Sequence, residues 1–229
     1  MSFRLTIHES LPSTSTLLTD LATRGEPAGL AVLARRQSAG RGTQGRAWDS
    51  PAGNLHLSVL LRPTAPLRDA PQWALLAAVA LHQAAGPRTT LKWPNDLMRG
   101  GAKAGGILAE SAASPEGRLD WLVLGFGVNL AHAPEVPDRA TAALGPEPPE
   151  AFAARLLDAL AHWHRVRLTE GFAPIRAAWM AAGPERGTHL SIRQGASRLV
   201  GRYEGLSEDG GLLLATGGRV HALHVGEIG

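Results

Sequence analysis

The chain of 229 residues contains no cysteine. That single absence removes disulfides, thiolate metal sites and any cysteine nucleophile. Lysine is nearly missing too: of 23 Lys plus Arg, two are lysines (Lys92 and Lys103), leaving 21 arginines. Asparagine occurs only at Asn54, Asn95 and Asn129, and aromatics are sparse, with one tyrosine and four phenylalanines. No stretch approaches the ~20 consecutive apolar residues of a membrane span. The opening MSFRLTIHESLP lacks the apolar core of a secretory signal. A cytoplasmic protein without a membrane partner is therefore expected. A net charge of +3 is too mild for a dedicated nucleic-acid binder.

What is present reads as an α+β chain: a mixed sheet flanked by helices, followed by a small C-terminal β-barrel. Pro12-Ser13-Thr14 ahead of Leu17, Leu18 and Leu21 predicts a capped helix ending near Gly25. Leu30–Ala34 and Leu55–Leu61 read as buried strands, with a polar, glycine-rich loop over roughly 36–54 between them. Residues 69–85 have helical spacing and stop at Gly86-Pro87. Strand-like runs follow at 89–93, 104–110 and 119–130, then helices at 150–168 and 172–182. Beyond Gly183 short runs separated by glycines suggest an all-β tail. The expected division is a catalytic domain over 1–183 and a barrel domain over 184–229.

Gly40-Arg41-Gly42-Thr43-Gln44-Gly45 fits the dinucleotide fingerprint literally. That fingerprint must open into a helix, with an acid about 20 positions on. Here the loop runs through Arg46-Ala47-Trp48-Asp49-Ser50-Pro51 into a strand, and no acid follows in a strand context, so the dinucleotide reading fails. What remains is a loop with accessible backbone, two arginines able to clamp phosphate and a tryptophan able to stack on a flat ring. Lys92-Trp93-Pro94-Asn95-Asp96 places polar groups at a strand end. Lys103-Ala104-Gly105-Gly106-Ile107-Leu108-Ala109-Glu110 sets a lysine beside small residues that let something pack closely. Gly125-Phe126-Gly127-Val128-Asn129-Leu130 ends an apolar strand on an asparagine. Alone, either lysine would be an ordinary solvated cation.

In this order and spacing, the four segments resemble the catalytic domain of biotin–protein ligases. Ser13-Thr14 resembles the family's opening biotin motif, Gln37 its glutamine, and the glycines of the tail its C-terminal barrel. The resemblance implies a class II synthetase-like fold and a two-step reaction. Biotin and Mg-ATP form biotinyl-5′-AMP and pyrophosphate, and biotin then passes to a lysine of a carrier domain such as that of acetyl-CoA carboxylase or a related carboxylase. It implies catalytic roles for Lys103 and Arg41. It implies biotin contacts from Ser13, Thr14, Ser15, Gln37, Gly40, Arg41, Gly42, Thr43, Lys103 and Gly106. ATP contacts would come from Arg41, Arg46, Trp48, Lys92, Asn95, Asp96, Lys103 and Asn129, with magnesium entering on ATP and no protein-only metal site.

Three positions depart from the family pattern. Its Ser-Thr-Asn reads Ser13-Thr14-Ser15, which puts the third contact in question. Arginines found in many relatives are Thr43 and Gln44 here, which implies looser retention of the adenylate or recruitment of another cation. With so little chain ahead of Ser13, neither a helix-turn-helix nor DNA binding is expected; homodimerisation is left open. The histidines read as bland: His162 and His164 diverge on a helix, and His221 and His224 face opposite ways on a strand, so zinc is not expected. Competing readings are a lipoate–protein ligase, which the Trp-Pro-Asn-Asp segment argues against, and a non-catalytic nucleotide- or RNA-binding module, which the few aromatics argue against.

Overall fold

The computed structural model describes residues 1–137 and 139–228. Its centre is a seven-stranded sheet in the order β1-β2-β3-β7-β6-β5-β4. The strands are β1 (Arg4–His8), β2 (Leu30–Ala34), β3 (Leu55–Leu61), β4 (Thr89–Lys92), β5 (Asp96–Arg99), β6 (Ala102–Ala113) and β7 (Leu119–Val128). Only β1 and β2 run parallel; every other neighbouring pair is antiparallel.

Strand β3 explains how the sheet is sandwiched. All seven of its residues are buried, so it reads as a continuous apolar run rather than an alternating one. Successive side chains still point to opposite faces. Leu55, Leu57, Val59 and Leu61 join the main core, whereas Leu60 joins a smaller cluster with Leu18, Ala22, Val32 and Val123. Helices α2 (Ala70–Ala85), α3 (Pro149–Thr169) and α4 (Ala173–Ala182) contribute the main-core side. Helix α1 (Thr14–Thr23) covers the other face and inserts Leu18 and Ala22. Burying a leucine such as Leu18 fully contributes roughly 1.5–3 kcal/mol, enough to fix so short a helix on the sheet. His56 and Ser58 share the α1 face with Leu60, so β3 carries polar groups only there.

The C-terminal strands β8 (His189–Gln194), β9 (Ser197–Leu206), β10 (Leu212–Thr216), β11 (Arg219–Leu223) and β12 (Glu227–Ile228) form a second, antiparallel sheet. Its order is β11-β10-β9-β8-β12. The expected barrel is thus corrected to an open sheet. Closing it would require β12 to pair with β11, and β12 is only two residues long and already spent on β8. Leu190, Ile192, Tyr203, Leu206 and Leu214 nevertheless belong to the same core as α2 and α4. The main core therefore runs beneath both sheets.

Two strands of the seven-stranded sheet escape the sequence reading. β1 is almost wholly exposed, so it shows no buried apolar run, and β5 is four residues packed directly after a turn. His224 lies just past β11 rather than on it and pairs with Asp209. No group of three metal-ligating side chains occurs among the described residues. Among the described residues no helix is long and apolar enough to cross a membrane.

Candidate active site

The glycine-rich loop turns where the sequence demands. Gly40 accepts the Trp48 N–H through its carbonyl at 2.9 Å, and a Cβ there would fall 2.3 Å from the Trp48 carbonyl oxygen and 2.4 Å from Ser50 Oγ. Only glycine fits. A short 3-10 turn, Thr43–Gly45, follows, and the chain then enters β3 without any helix. That geometry is incompatible with a dinucleotide fingerprint.

The loop's far end lays Trp48 across β6 and β7. A Cβ at Gly127 would fall 2.4 Å from the indole, and one at Gly106 would lie 3.6 Å away. Gly106 and Gly127 are register partners, so two facing glycines make a flat bed for the ring. Lys103, at the head of β6, stands 5.6 Å from the ring centroid.

Beneath this loop is a cleft lined by Ser13, Thr14, Ser15, Gln37, Ser58 and Lys103, among others. Arg41, Gly42, Thr43, Trp48, Asn95 and Gly106 also border it, and Ile107, Leu108 and Phe126 supply apolar wall. Residues scattered from position 13 to position 127 are thereby brought together. Gly40 does not face this cleft. It borders a wider adjoining cavity that Arg46 and Asn129 share with Gln37, Trp48 and Lys103. Lys92 and Asp96 line a third space, which also reaches Lys103 and takes in Arg139, Arg193, Arg198 and Glu227. Lys103 is the side chain common to all three.

Ion pairs hold the cationic groups. Lys103 Nζ donates to Asp96 Oδ1, and both side chains are mostly buried. Burial pushes the Lys103 pKa down; Asp96 opposes that shift, and the nearby Arg139 and Arg46 reinforce it. Arg41 donates to Glu110 at 2.5 Å and to Thr16 Oγ1 at 3.2 Å. Arg46 pairs with Glu227 of β12 and donates to Thr43 Oγ1 at 2.9 Å. The hydrogen bond from Arg46, with a second from Arg193, holds the Glu227 carboxyl below its usual range.

The three asparagines have separate tasks. Asn54 Oδ1 accepts from the N–H groups of Leu130, Ala131 and His132 at 3.0–3.1 Å, so it shapes the turn after β7. Asn95 donates to the Ile107 carbonyl at 2.7 Å, pinning the Lys92–Asp96 hairpin to β6. Asn129 is 2 % exposed, and its Oδ1 finds no hydrogen-bond partner among the described residues. A buried unpaired acceptor is costly, and this one borders the cavity beside Trp48.

Sequence reasoning missed Ser58, Arg139, Arg193 and Glu227, and it gave no role to Glu110, which closes the Lys103 segment and pairs with Arg41. A serine inside an apolar strand gives no motif, and the others are ordinary surface charges until long-range folding brings them to the loop.

Comparisons with known proteins agree with this geometry. Residues 7–129 match the biotin/lipoate A/B protein ligase family. A biotin–[acetyl-CoA-carboxylase] ligase of Paracoccus denitrificans is 39 % identical over 199 residues, covering 80 % of this chain and 82 % of that one. The bifunctional ligase/repressor BirA of Bacillus subtilis is 35 % identical over 242 residues, 100 % of this chain and 74 % of the relative. A biotin protein ligase from Aquifex aeolicus, solved in complex with biotin and ATP, superposes with a TM-score of 0.82 at 24 % identity and covers 99 % of this chain and 97 % of its own. With a family match over more than half its length, and relatives of this identity along most of the rest, the chain belongs to the biotin/lipoate A/B protein ligase family.

Proposed function

We propose that this protein is an ATP-dependent biotin–protein ligase. A carboxylate oxygen of biotin attacks the α-phosphorus of ATP, the α–β anhydride breaks, and pyrophosphate leaves. The ε-amine of a carrier lysine then attacks the acyl carbon of biotinyl-5′-AMP; AMP departs and the amine gives up a proton. The carrier in this reading is the biotin carboxyl carrier domain of acetyl-CoA carboxylase or a related carboxylase.

The observation that carries the reading is the position of Lys103 at the junction of three cavities. Joining two anions requires a cation where they meet, and losing such a group typically lowers the rate ~10²–10³-fold. The polar cleft on one side suits the ureido head, with Ser13, Thr14, Ser15 and Gln37 as its contacts. The neighbouring cavity suits the nucleotide: Trp48 offers a ring face and Asn129 an unpaired acceptor for an exocyclic amine. Arg41 and Arg46 are placed to exchange their carboxylate partners for phosphate as the loop settles. The basic space with Lys92, Arg139, Arg193 and Arg198 suits the departing pyrophosphate.

Magnesium would arrive on the ATP phosphates and neutralise their charge. A cation that keeps most of its waters needs only one or two carboxylates, and among the described residues Asp96 and Glu227 border that basic space. The separating experiment is to supply ATP, magnesium and either biotin or lipoate and to follow pyrophosphate release. Release with biotin is expected; release with lipoate alone, or with neither acid, would overturn the reading.

A further inference from the structure

Ser58 lies outside every sequence motif, yet it sits at the floor of the polar cleft. It is 0 % exposed, and Thr14 and Ser15 beside it are 3 % and 6 % exposed. The direction of each hydrogen bond among them can be worked out. Gln37 Oε1 accepts the Thr14 backbone N–H at 2.8 Å, and since that group only donates, the oxygen of the amide must face it. Gln37 Nε2 accordingly donates to Ser50 Oγ at 2.9 Å. Thr14 Oγ1 lies 3.1 Å from the same Gln37 oxygen, so the threonine hydroxyl donates there and spends its proton. Ser58 Oγ is 2.8 Å from Thr14 Oγ1 and must therefore donate to it. Ser15 Oγ is 3.1 Å from Ser58 Oγ and must donate in turn.

Every proton in the chain Ser15→Ser58→Thr14→Gln37 thus points the same way. Thr14 and Ser15 are left with lone pairs only, on the side facing the cleft. Ser13 has the opposite character: its Oγ accepts the Thr16 N–H at 3.4 Å, which leaves its own proton to donate. The floor therefore offers one donor and two acceptors, the complement of a cyclic urea with its one carbonyl and two N–H groups. Gly125 protects this arrangement, since a Cβ there would come within 2.5 Å of Ser15 Oγ.

The geometry points to Ser58 as a specificity-determining positioning residue that orders the protons of Thr14 and Ser15, so that the site accepts two N–H donors from its acid substrate. This rests on the biotin reading and deepens it. It also gives Ser15 a role at the head of the relay: its proton is spent on Ser58, which leaves its lone pairs to accept from the substrate. Removing the Ser58 hydroxyl would release the Ser15 proton to turn into the cleft, placing a donor against a donor. Sites built to pair with a polar group can reject analogues lacking it by ~10⁴–10⁵-fold.

The test measures pyrophosphate release by wild type, Ser58→Ala, Ser58→Cys and Ser15→Ala with biotin, with a biotin methylated on a urea nitrogen and with lipoate. Ser58→Ala should raise KM for biotin about five- to fiftyfold, as one hydrogen bond and one misdirected buried hydroxyl imply. Its kcat and its KM for ATP should hold. The preference for biotin over the methylated analogue should shrink, Ser58→Cys should fall between, and Ser15→Ala should follow Ser58→Ala. An unchanged biotin KM in Ser58→Ala overturns the proposal, as does an equal shift for all substrates including ATP. Should Ser58→Ala not fold, an unchanged biotin KM in Ser15→Ala overturns it instead. Biotin-independent behaviour of the wild type would strike the ligase reading itself, a separate result.

Discussion

The ammonium of Lys103 and the indole of Trp48 face each other 5.6 Å apart, centroid to Nζ, across the glycine bed formed by Gly106 and Gly127. A cation over a ring face is attracted by its quadrupole, so the pair ties the glycine-rich loop to the sheet at the point where the proposed reaction builds up charge. Lys103→Ala should reduce adenylate formation by ~10²–10³-fold or more while the far-ultraviolet circular dichroism stays that of wild type. Pyrophosphate release at saturating biotin and ATP checks it, and near-normal release would remove Lys103 from the chemistry.

The Asp96 partner makes a pH prediction. Burial places the Lys103 pKa below the ordinary lysine value of 10.5, and Asp96 is what restrains the fall. A step that needs the charged amine is present at low pH and fades as pH rises through that lowered pKa. Taking away the carboxylate lowers the pKa further. The alkaline limb of kcat/KM in Asp96→Asn should therefore move to lower pH than in wild type, and an unmoved limb would dissociate Lys103 from it.

How much of this was readable beforehand depends on the range of the interaction. Helix α1 was legible because Ser13 caps it locally, with φ −159° and its side chain accepting from Thr16, and because Leu18 and Ala22 recur on one face. Strands β2 and β3 begin and end where their apolar runs do, at Leu30–Ala34 and Leu55–Leu61. The motif-bearing residues that the fold gathers around Lys103 stand out in the sequence as well, but Asp96 as the partner of Lys103 does not, because that contact needs the β5–β6 register in which Asp96 faces Gly106. Glu227 meets Arg46 across 181 residues of sequence, beyond any local pattern. Closure of the C-terminal sheet was misjudged for the same reason: whether its two edges meet depends on strand lengths that glycine spacing does not set.

Thr43 faces the cleft where a third loop cation could stand. Its hydroxyl at present only accepts from Arg46. An arginine there would add a charge-assisted bond to the adenylate phosphate, worth ~1.5–3 kcal/mol. Thr43→Arg should therefore slow release and hydrolysis of biotinyl-5′-AMP about tenfold or more, measured as free adenylate leaving a loaded enzyme. Equal release rates in the two proteins would sink the idea.

Glu227 reaches the loop from β12. Its pairs with Arg46 and Arg193 are partly exposed, with arginine side chains 40 % and 63 % accessible, so each contributes at most about 1 kcal/mol. Stability should change little in Glu227→Gln, whereas the loop loses its tether. Limited trypsin digestion should then cut after Arg41 or Arg46 up to about fivefold faster than in wild type. Identical cleavage rates would mean that the loop is held by its own contacts alone.

The scarcity of lysine has a last consequence. Biotinyl-5′-AMP acylates amines, and this chain offers only Lys92, Lys103 and its amino terminus. Lys103 is 13 % exposed and ion-paired, and the role proposed for it requires the charged form, which has no nucleophilic lone pair. Lys92 is half-buried at the end of β4, beside the basic space. Incubated with biotin, ATP and magnesium but no carrier, the enzyme should acquire almost no biotin on its lysines by peptide mass spectrometry. A lysine-rich bystander in the same tube should be labelled more heavily if Thr43, standing where a loop cation could hold the phosphate, lets the intermediate leave. Heavy labelling of Lys92 would place its amine within reach of the acyl carbon and contradict its assignment to the phosphate side.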